Sequence, residues 1–119
     1  MEKNITVRLT ARLFAEEKCY GPGVEQLLKA VEKHRSLRAA AASMSMAYSK
    51  AWTILKTSEK ELGFKLLHTT TGGRHGGGAV LTEEGERMLS AYNAFAREVR
   101  ESGQALFQKY FADQPRAGA

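Results

Sequence analysis

The N-terminal residues 5–13 alternate between apolar and polar side chains. On an extended chain, one side of this segment would carry Ile5, Val7, Leu9, Ala11 and Leu13. A period of two is typical of a half-buried β-strand, so we predict a leading strand here. The sequence YGPG at 20–23 predicts a tight turn. Residues 1–22 are therefore expected to form a leading strand and a turn.

The apolar positions change to helical spacing after this turn. A first helix is predicted over 24–34, with an apolar side formed by Val24, Leu27, Leu28 and Val31. Ser36 stands at the N-cap position of a second helix, whose run of alanines would let another helix cross it closely. The sequence SMSM at 43–46 interrupts this helix before a third helical segment.

The third helix, predicted over 47–62, has two chemically different sides. At about 100° per residue, one side carries a thin stripe of small or apolar residues: Ala51, Leu55, Ser58 and Leu62. The opposite side carries hydroxyls and lysines: Ser49, Thr53, Lys56 and Lys60. We expect the thin stripe to pack against the alanine-rich helix.

A β-hairpin is predicted after Gly63. Two β-leaning segments, FKLLHTTT at 64–71 and AVLT at 79–82, enclose a tip with five glycines in seven positions and with Arg74 and His75 between them. A phosphate-binding P-loop would need a Gly-Lys-Ser/Thr ending before a helix, and AVLT follows here instead, which disfavours that interpretation. A plain flexible loop remains an alternative.

The last helix is predicted to begin after an N-cap at Thr82 and to run to about Phe111. Its apolar stripe consists of Met88, Leu89, Tyr92, Phe95, Val99, Leu106 and Tyr110. At 1.5 Å per residue the helix would be about 43 Å long, more than a core of this size covers. A second copy of the chain is the simplest partner for the remainder. A helix with a frayed polar end is the alternative.

Charge is unevenly distributed along the 119 residues, which carry a net charge of +5. Between residues 29 and 75 there are nine basic and three acidic residues, whereas between 83 and 101 there are three basic and five acidic residues. A basic middle beside an acidic C-terminal helix indicates a surface that meets phosphates, although solvated charge alone would produce the same count.

Together these elements predict an α+β, mainly α, winged helix-turn-helix fold with an N-terminal strand and a long C-terminal dimerisation helix. Residues 1–119 form one domain, with the helix-turn-helix and wing at 23–81, the dimerisation helix at 82–112 and a frayed tail at 113–119. In such folds the second helix of the pair lies in the DNA major groove. The side of 47–62 that carries hydroxyls and lysines suits this position, and the glycine-rich tip would be the wing.

The predicted DNA-binding residues are Ser36, Arg38, Tyr48, Ser49, Lys50, Thr53, Lys56, Thr71, Arg74 and His75. Trp52 flanks this set but is at least equally consistent with core packing, so it is not included. The predicted dimerisation residues are Leu89, Tyr92, Phe95, Val99, Leu106 and Tyr110. We expect a homodimer that reads a roughly palindromic site in double-stranded DNA.

Residues 24–92 resemble the N-terminal DNA-binding domain of ModE-type molybdate-responsive transcription regulators, and more distantly the LysR-type winged helix. The most specific matches are YSKAW at 48–52, TGGRHGGGAVLTEEG at 71–85 and the leading segment ITVRLTARLF. The resemblance implies a dimeric DNA-binding regulator, with Tyr48, Ser49 and Lys50 opening the recognition helix and Arg74 in the wing.

Two departures from the family pattern change what is expected. Ala47 stands where family members often carry serine, so Ser45 or the backbone would have to cap the recognition helix. Full-length regulators add C-terminal domains that bind molybdate, and 119 residues leave no room for them. We therefore expect no molybdate sensing, although a target linked to molybdenum metabolism stays plausible by association.

Other classes of function receive little support from the sequence. His34, His68 and His75 lack metal-type spacing and no cysteine or carboxylate cluster joins them, so we expect no enzyme, no metal and no cofactor. No small-molecule ligand or membrane segment is evident. A lone Cys19, expected to be semi-buried, suits the cytoplasm. The alternatives that remain are a winged-helix protein-interaction module and a non-specific architectural DNA-binding protein.

Overall fold

The computed structural model describes residues 4–70 and 77–112. The elements in chain order are β1 (Leu13–Phe14), β2 (Lys18–Tyr20), α1 (Pro22–His34), α2 (Leu37–Ser43), α3 (Tyr48–Leu62), β3 (Leu67–Thr69), β4 (Ala79–Leu81) and α4 (Glu83–Phe111). This is the predicted α+β, mainly α class: three short helices, a two-stranded hairpin and a long helix form a winged helix-turn-helix layout.

The local sequence explains where α1 begins and where it ends. Pro22 occupies the first turn of α1, where its missing N–H costs nothing. The helix ends because Arg35 adopts a left-handed conformation (φ 61°), in which its N–H donates to Val31 O at 2.7 Å. The predicted apolar side of α1 is buried at all four positions: Val24, Leu27, Leu28 and Val31.

Helix α2 is capped by Ser36, as predicted, because Ser36 Oγ accepts a hydrogen bond from Ala39 N at 3.1 Å. Ala40 and Ala41 are buried where α2 packs against α1 and α3. These small side chains allow the close crossing. The turn to α3 uses a positive φ at Ser45 (53°), so the chain changes direction within a few residues.

Helix α3 buries Ala51, Leu55 and Ser58, which confirms most of the predicted inner stripe. Its N-cap residue Ala47 makes no side-chain capping bond. The first turn is closed by the backbone instead, since the amides of Lys50 and Ala51 each donate to Ala47 O at 3.1 Å. Gly63 ends the helix with φ 85°.

The predicted hairpin is present as the antiparallel pair β3–β4, with Leu67 opposite Leu81 and Thr69 opposite Ala79. Leu67 enters the core from β3 and Ala79 from β4, and Leu66, just before β3, is buried there too. The amide of Ala79 donates to Arg35 O at 3.0 Å. This bond fixes the hairpin to the C-terminal end of α1.

Thr82 joins the hairpin to α4. Its Oγ1 accepts from Gly85 N at 2.8 Å and donates to Lys65 O at 2.7 Å. At Gly85 a side chain would collide with the backbone of Leu66. The long helix therefore starts directly against the base of the hairpin. It spans 29 residues, as predicted, but its buried positions are limited to its first half: Gly85, Tyr92 and Ala96.

The predicted leading strand over 5–13 is wrong for most of its length, because only Leu13 belongs to a strand. Residues 4–12, here called the N-terminal arm, run along α4 without strand pairing. Tyr92 Oη donates to Ala11 O at 2.6 Å, and Gln104 Nε2 donates to Val7 O at 3.4 Å. Leu9 packs where Gly103 has no side chain. Of the apolar positions in the alternating pattern, Val7, Ala11 and Leu13 are half-buried, whereas Ile5 and Leu9 are 52% and 40% exposed.

Two tyrosines connect this arm to the core. Tyr20 is fully buried, and its ring lies 4.9 Å from that of Tyr92, centroid to centroid. Burial, reinforced by the negative charge of Glu25, raises the pKa of both phenols. In the described part of the chain Tyr20 Oη has no hydrogen-bond partner. Cys19, next to it, is buried.

Candidate nucleic-acid interface

The side of α3 opposite the core is open to solvent. Ser49, Lys50 and Thr53 are all exposed, as are Tyr48, Trp52 and Lys60. No acidic residue is among these exposed side chains of α3, a helix that the structure describes throughout. Thr53 Oγ1 donates to Ser49 O at 3.0 Å, which fixes its rotamer and leaves its oxygen free to accept. We call Ser49, Lys50, Thr53 and Lys56 the outer face of α3.

Lys56 differs from the other members of this face, because its ammonium already has partners. Lys56 Nζ lies 3.2 Å from Glu59 Oε1 and 4.4 Å from the centroid of the Trp52 ring. Glu59 is 8% exposed, and its Oε2 accepts from the amides of Leu66 at 2.7 Å and Leu67 at 3.3 Å. Sequence reasoning missed Glu59, since nothing local distinguishes it from a solvated helix glutamate.

A groove of about 350 Å³ separates the N-terminal part of α3 from the β3–β4 hairpin. Among the residues that line it are Ser36, Arg38, Tyr48 and Trp52. The Arg38 guanidinium lies 4.3 Å from the centroid of the Tyr48 ring, which holds this cation at the groove wall. Of the described residues lining the groove, none is acidic. The structure thus brings three predicted site residues, Ser36, Arg38 and Tyr48, together around one groove.

The sequence left Trp52 open between the interface and the core, and its 42% exposure shows that it does not pack within the core. Its indole forms part of the same groove wall. The predicted wing residues Thr71, Arg74 and His75 lie outside the described residues. The hairpin strands that lead to them border the groove at Thr70 and Gly77.

The predicted dimerisation residues of α4 are in two environments. Tyr92 is 3% exposed and bonded to the N-terminal arm of its own chain, so its assignment to a dimer interface does not fit its burial. Leu89 is half-buried against the same core. Phe95, Leu106 and Tyr110 are exposed, and Phe95, Val99 and Leu106 line a shallow apolar groove with Leu9 of the arm.

Residues 26–86 match the bacterial regulatory helix-turn-helix protein, lysR family. The chain belongs to this family. The matched region contains α2, α3 and the β3–β4 hairpin, and therefore every described residue of the outer face and the groove. Family membership supports DNA binding and transcription regulation as the function of this chain.

Individual relatives agree with the resemblance read from the sequence. The chain is 33% identical to the transcriptional regulator ModE of Haemophilus influenzae over 93 residues, covering 78% of this chain and 34% of that protein. It is 31% identical to the DNA-binding transcriptional dual regulator ModE of Escherichia coli K12 over 93 residues, with the same two coverages, 78% and 34%.

A third relative is the molybdenum-pterin-binding protein MopB of Rhodobacter capsulatus, 37% identical over 68 residues, 57% of this chain and 25% of that protein. The chain spans about a third of the length of the ModE relatives it matches. Within the described residues, the helices do not combine the length and apolar character that crossing a bilayer requires.

Proposed function

We propose that this chain binds double-stranded DNA with sequence specificity, as a homodimer that regulates transcription. Helix α3 would enter the major groove, and the tip of the β3–β4 hairpin would meet the neighbouring backbone or minor groove. The observation that carries this proposal is the outer face of α3. It is exposed, basic and rich in hydroxyls, and it lies beside a groove that holds a further cation, Arg38.

Each exposed group has a counterpart on DNA. The Ser49 hydroxyl can donate to or accept from base edges, and the Thr53 oxygen, whose hydrogen is bonded to Ser49 O, can accept from them. Such bonds read sequence in the major groove. Lys50 and Arg38 would meet phosphates, which fixes the register of the protein on the duplex. Arg74 and His75 would extend this contact from the wing. Lys56 stays in the proposed interface.

The proposed homodimer interface is the exposed apolar side of α4. Helix α4 of one protomer leaves Phe95, Leu106 and Tyr110 in solvent, and a helix of its length, about 43 Å, extends past the core it packs on. The same stripe on a second copy would cover these side chains through a symmetric contact. Two α3 helices would then read half-sites about one helical turn apart.

We further propose that the regulated genes belong to molybdenum metabolism. The support is the similarity to regulators named ModE and to a protein named for binding molybdenum-pterin. No catalytic role is proposed. We assign the groove beside α3 to DNA and not to a small ligand. The described residues that line it include exposed side chains of α3, the helix proposed to enter the major groove.

The direct test is the salt dependence of duplex binding. Fragments selected from the source genome should bind more tightly than random DNA, with affinity falling linearly on a log–log plot against salt. Arg38→Ala and Lys50→Ala should each reduce the slope by about 0.9 per protomer, because each removes one neutralised phosphate.

Lys109→Ala, which removes the same charge from the far end of α4, is the matched control and should leave the slope unchanged. Equal affinity for selected and random duplexes would indicate an architectural DNA-binding protein. Absence of duplex binding would indicate a protein-interaction module.

A further inference from the structure

We propose that Trp52 makes a direct apolar contact with DNA, and that Lys56 is the positioning residue that holds its indole, not a phosphate ligand. This inference rests on the proposed function and assigns two residues within the same site. It gives Lys56 a different role from the one its charge suggested in the sequence.

The first argument is the exposure of Trp52. A large aromatic side chain contributes most to stability when buried. Trp52 instead leaves 42% of its surface in solvent and forms part of the wall of the groove between α3 and the hairpin. Tyr48, one helical turn earlier, lines the same groove and is 39% exposed. These two rings make an aromatic edge along an otherwise polar helix face.

The second argument is a series of contacts that ends on this indole. The backbone amides of Leu66 and Leu67 hold the buried carboxylate of Glu59 at 2.7 and 3.3 Å. Glu59 Oε1 holds Lys56 Nζ at 3.2 Å, and this ammonium lies over the Trp52 ring at 4.4 Å from its centroid. The indole is therefore fixed from the base of the hairpin, through two charged side chains.

This arrangement argues against a phosphate contact for Lys56. Its Nζ lies over the Trp52 ring and donates to Glu59 Oε1, so movement toward a phosphate would loosen both contacts. Without the ion pair the buried Glu59 carboxylate would keep only its two backbone amides as partners, which is unfavourable for a buried charge. Retaining the ammonium over the ring costs nothing of this kind. It also reduces the rotamer freedom that Trp52 would lose on binding.

The indole offers DNA a flat apolar surface. The matching chemistry on a duplex is an apolar C–H surface, supplied either by the methyl group of thymine in the major groove or by the deoxyribose of the strand that passes along the groove. A thymine contact would make Trp52 a specificity residue. A deoxyribose contact would make it an affinity residue without sequence preference.

Trp52 is the only tryptophan of the chain, so its fluorescence reports this one side chain. Wild-type protein titrated with a genome-selected duplex should become several-fold less sensitive to acrylamide quenching, at the same DNA concentration at which a labelled duplex binds. Trp52→Ala and Trp52→Phe should retain the circular dichroism spectrum and melting temperature within a few degrees. Trp52→Ala should weaken duplex binding about tenfold, a loss typical of one desolvated aromatic contact.

The role of Lys56 is tested with Lys56→Met, which keeps the length of the side chain and removes its charge. Because this variant leaves the buried Glu59 without its cation, its melting temperature is measured as well, and Lys56→Met/Glu59→Gln, which removes both charges, is measured in parallel. We expect a loss of affinity similar to that of Trp52→Ala with an unchanged salt slope, no further loss in the Trp52→Ala/Lys56→Met double variant, and recovery in Lys56→Arg. A phosphate contact would instead reduce the slope by about 0.9 and add its effect to that of Trp52→Ala. That result would overturn the role given to Lys56.

Replacing thymine with deoxyuridine in the duplex separates the two apolar sources. If a methyl group is contacted, wild type loses affinity for the uracil duplex and Trp52→Ala does not. If deoxyribose is contacted, wild type binds both duplexes equally. If the bound indole is still quenched by acrylamide as in the free protein, and Trp52→Ala binds with unchanged affinity, the inference about Trp52 is wrong and the proposed function is unaffected. If wild type binds no duplex, both the proposed function and this inference are wrong.

Discussion

The outer face of α3 and the second half of α4 are both exposed, yet they differ in chemistry. The exposed side chains of α3 are hydroxyls, lysines and aromatic rings without an acid among them. Helix α4 exposes Phe95 near its middle and Leu106 and Tyr110 in its second half, between acids and bases such as the Arg97–Glu101 pair, 3.8 Å apart. Exposure alone does not identify a partner. The sign of the charge and the apolar content indicate DNA for α3 and protein for α4.

The two regions also differ in how the rest of the fold supports them. Helix α3 is held at its C-terminal part, where the Glu59 carboxylate binds the amides that lead into β3. Helix α4 is held at its beginning by Thr82 and at Tyr92 by the N-terminal arm, whereas its last turns extend beyond the core. A rigid face suits the reading of DNA, and an uncovered helix end suits association.

The largest expected effect concerns the apolar side of α4. Phe95→Glu with Leu106→Glu should raise the dimer dissociation constant by at least about 100-fold, because two apolar side chains per protomer, each worth about 1.5 kcal/mol or more on burial, become charged. Sedimentation velocity across micromolar concentrations measures this change.

Ser90→Glu places the same charge at an exposed position on another side of α4 and serves as the control. An unchanged sedimentation coefficient in the double variant would show that the two regions do not differ as described, and that α4 is not the interface.

A smaller effect is expected at the joint between the hairpin and α4. Thr82→Ala should lower the free energy of unfolding by about 1–2 kcal/mol, because Gly85 N loses its cap and Lys65 O loses a donor. Thr82→Ser keeps both hydrogen bonds and should be close to wild type in urea denaturation. Equal losses for the two variants would mean that packing of the methyl group, and not the hydroxyl, stabilises the joint.

The smallest effect separates the two tyrosines of the core. Tyr92→Phe should lower the free energy of unfolding by about 1 kcal/mol, since Ala11 O loses its 2.6 Å hydrogen bond. Tyr20→Phe should leave the free energy of unfolding unchanged or raise it slightly, because the hydroxyl that is removed has no hydrogen-bond partner in the described residues. Chemical denaturation of both variants measures the difference, and a larger loss in Tyr20→Phe would contradict it.

The helices could be predicted because their signals are local. Ser36 Oγ accepts a hydrogen bond from Ala39 N at 3.1 Å, and Thr82 Oγ1 accepts one from Gly85 N at 2.8 Å. These are the hydrogen bonds that an N-cap side chain makes. Gly63 ends α3 with the positive φ for which glycine is suited. N-caps and C-terminal glycines depend only on residues close in sequence, so they can be recognised from one amino-acid sequence.

The N-terminal segment could not be predicted in the same way. An apolar–polar alternation indicates that one side of an extended chain is covered. It does not indicate which element covers that side. Here α4 supplies a partial cover, through Tyr92, Gln104 and the gap at Gly103, while Ile5 and Leu9 stay 52% and 40% exposed. Gly103, taken from the sequence alone, is only a residue of low helix propensity within α4. Its contact with Leu9 lies 94 positions away in sequence, beyond any local pattern.

In the candidate site, too, some features follow from local sequence and others depend on contacts between residues distant along the chain. Ser49 and Thr53 could be placed on an exposed side because the helical period puts them opposite Ala51 and Leu55. The burial of Glu59 was not predictable, because its ligands are backbone amides that reach it only after the chain turns at Gly63. The position of the Lys56 ammonium depends on that burial, and so does the support beneath Trp52.

Neutralising the positive charge of the outer face of α3 with two added carboxylates tests the central claim most directly. Ser49→Glu with Thr53→Glu should weaken binding to a genome-selected duplex by about 100-fold or more at fixed salt, because like charges placed against phosphates cost several kcal/mol. The control, Ser90→Glu with Asn93→Glu, adds the same charge to exposed positions of α4 and should bind nearly as wild type does. Equal affinity of the two double variants for the duplex would contradict the assignment of α3 to DNA.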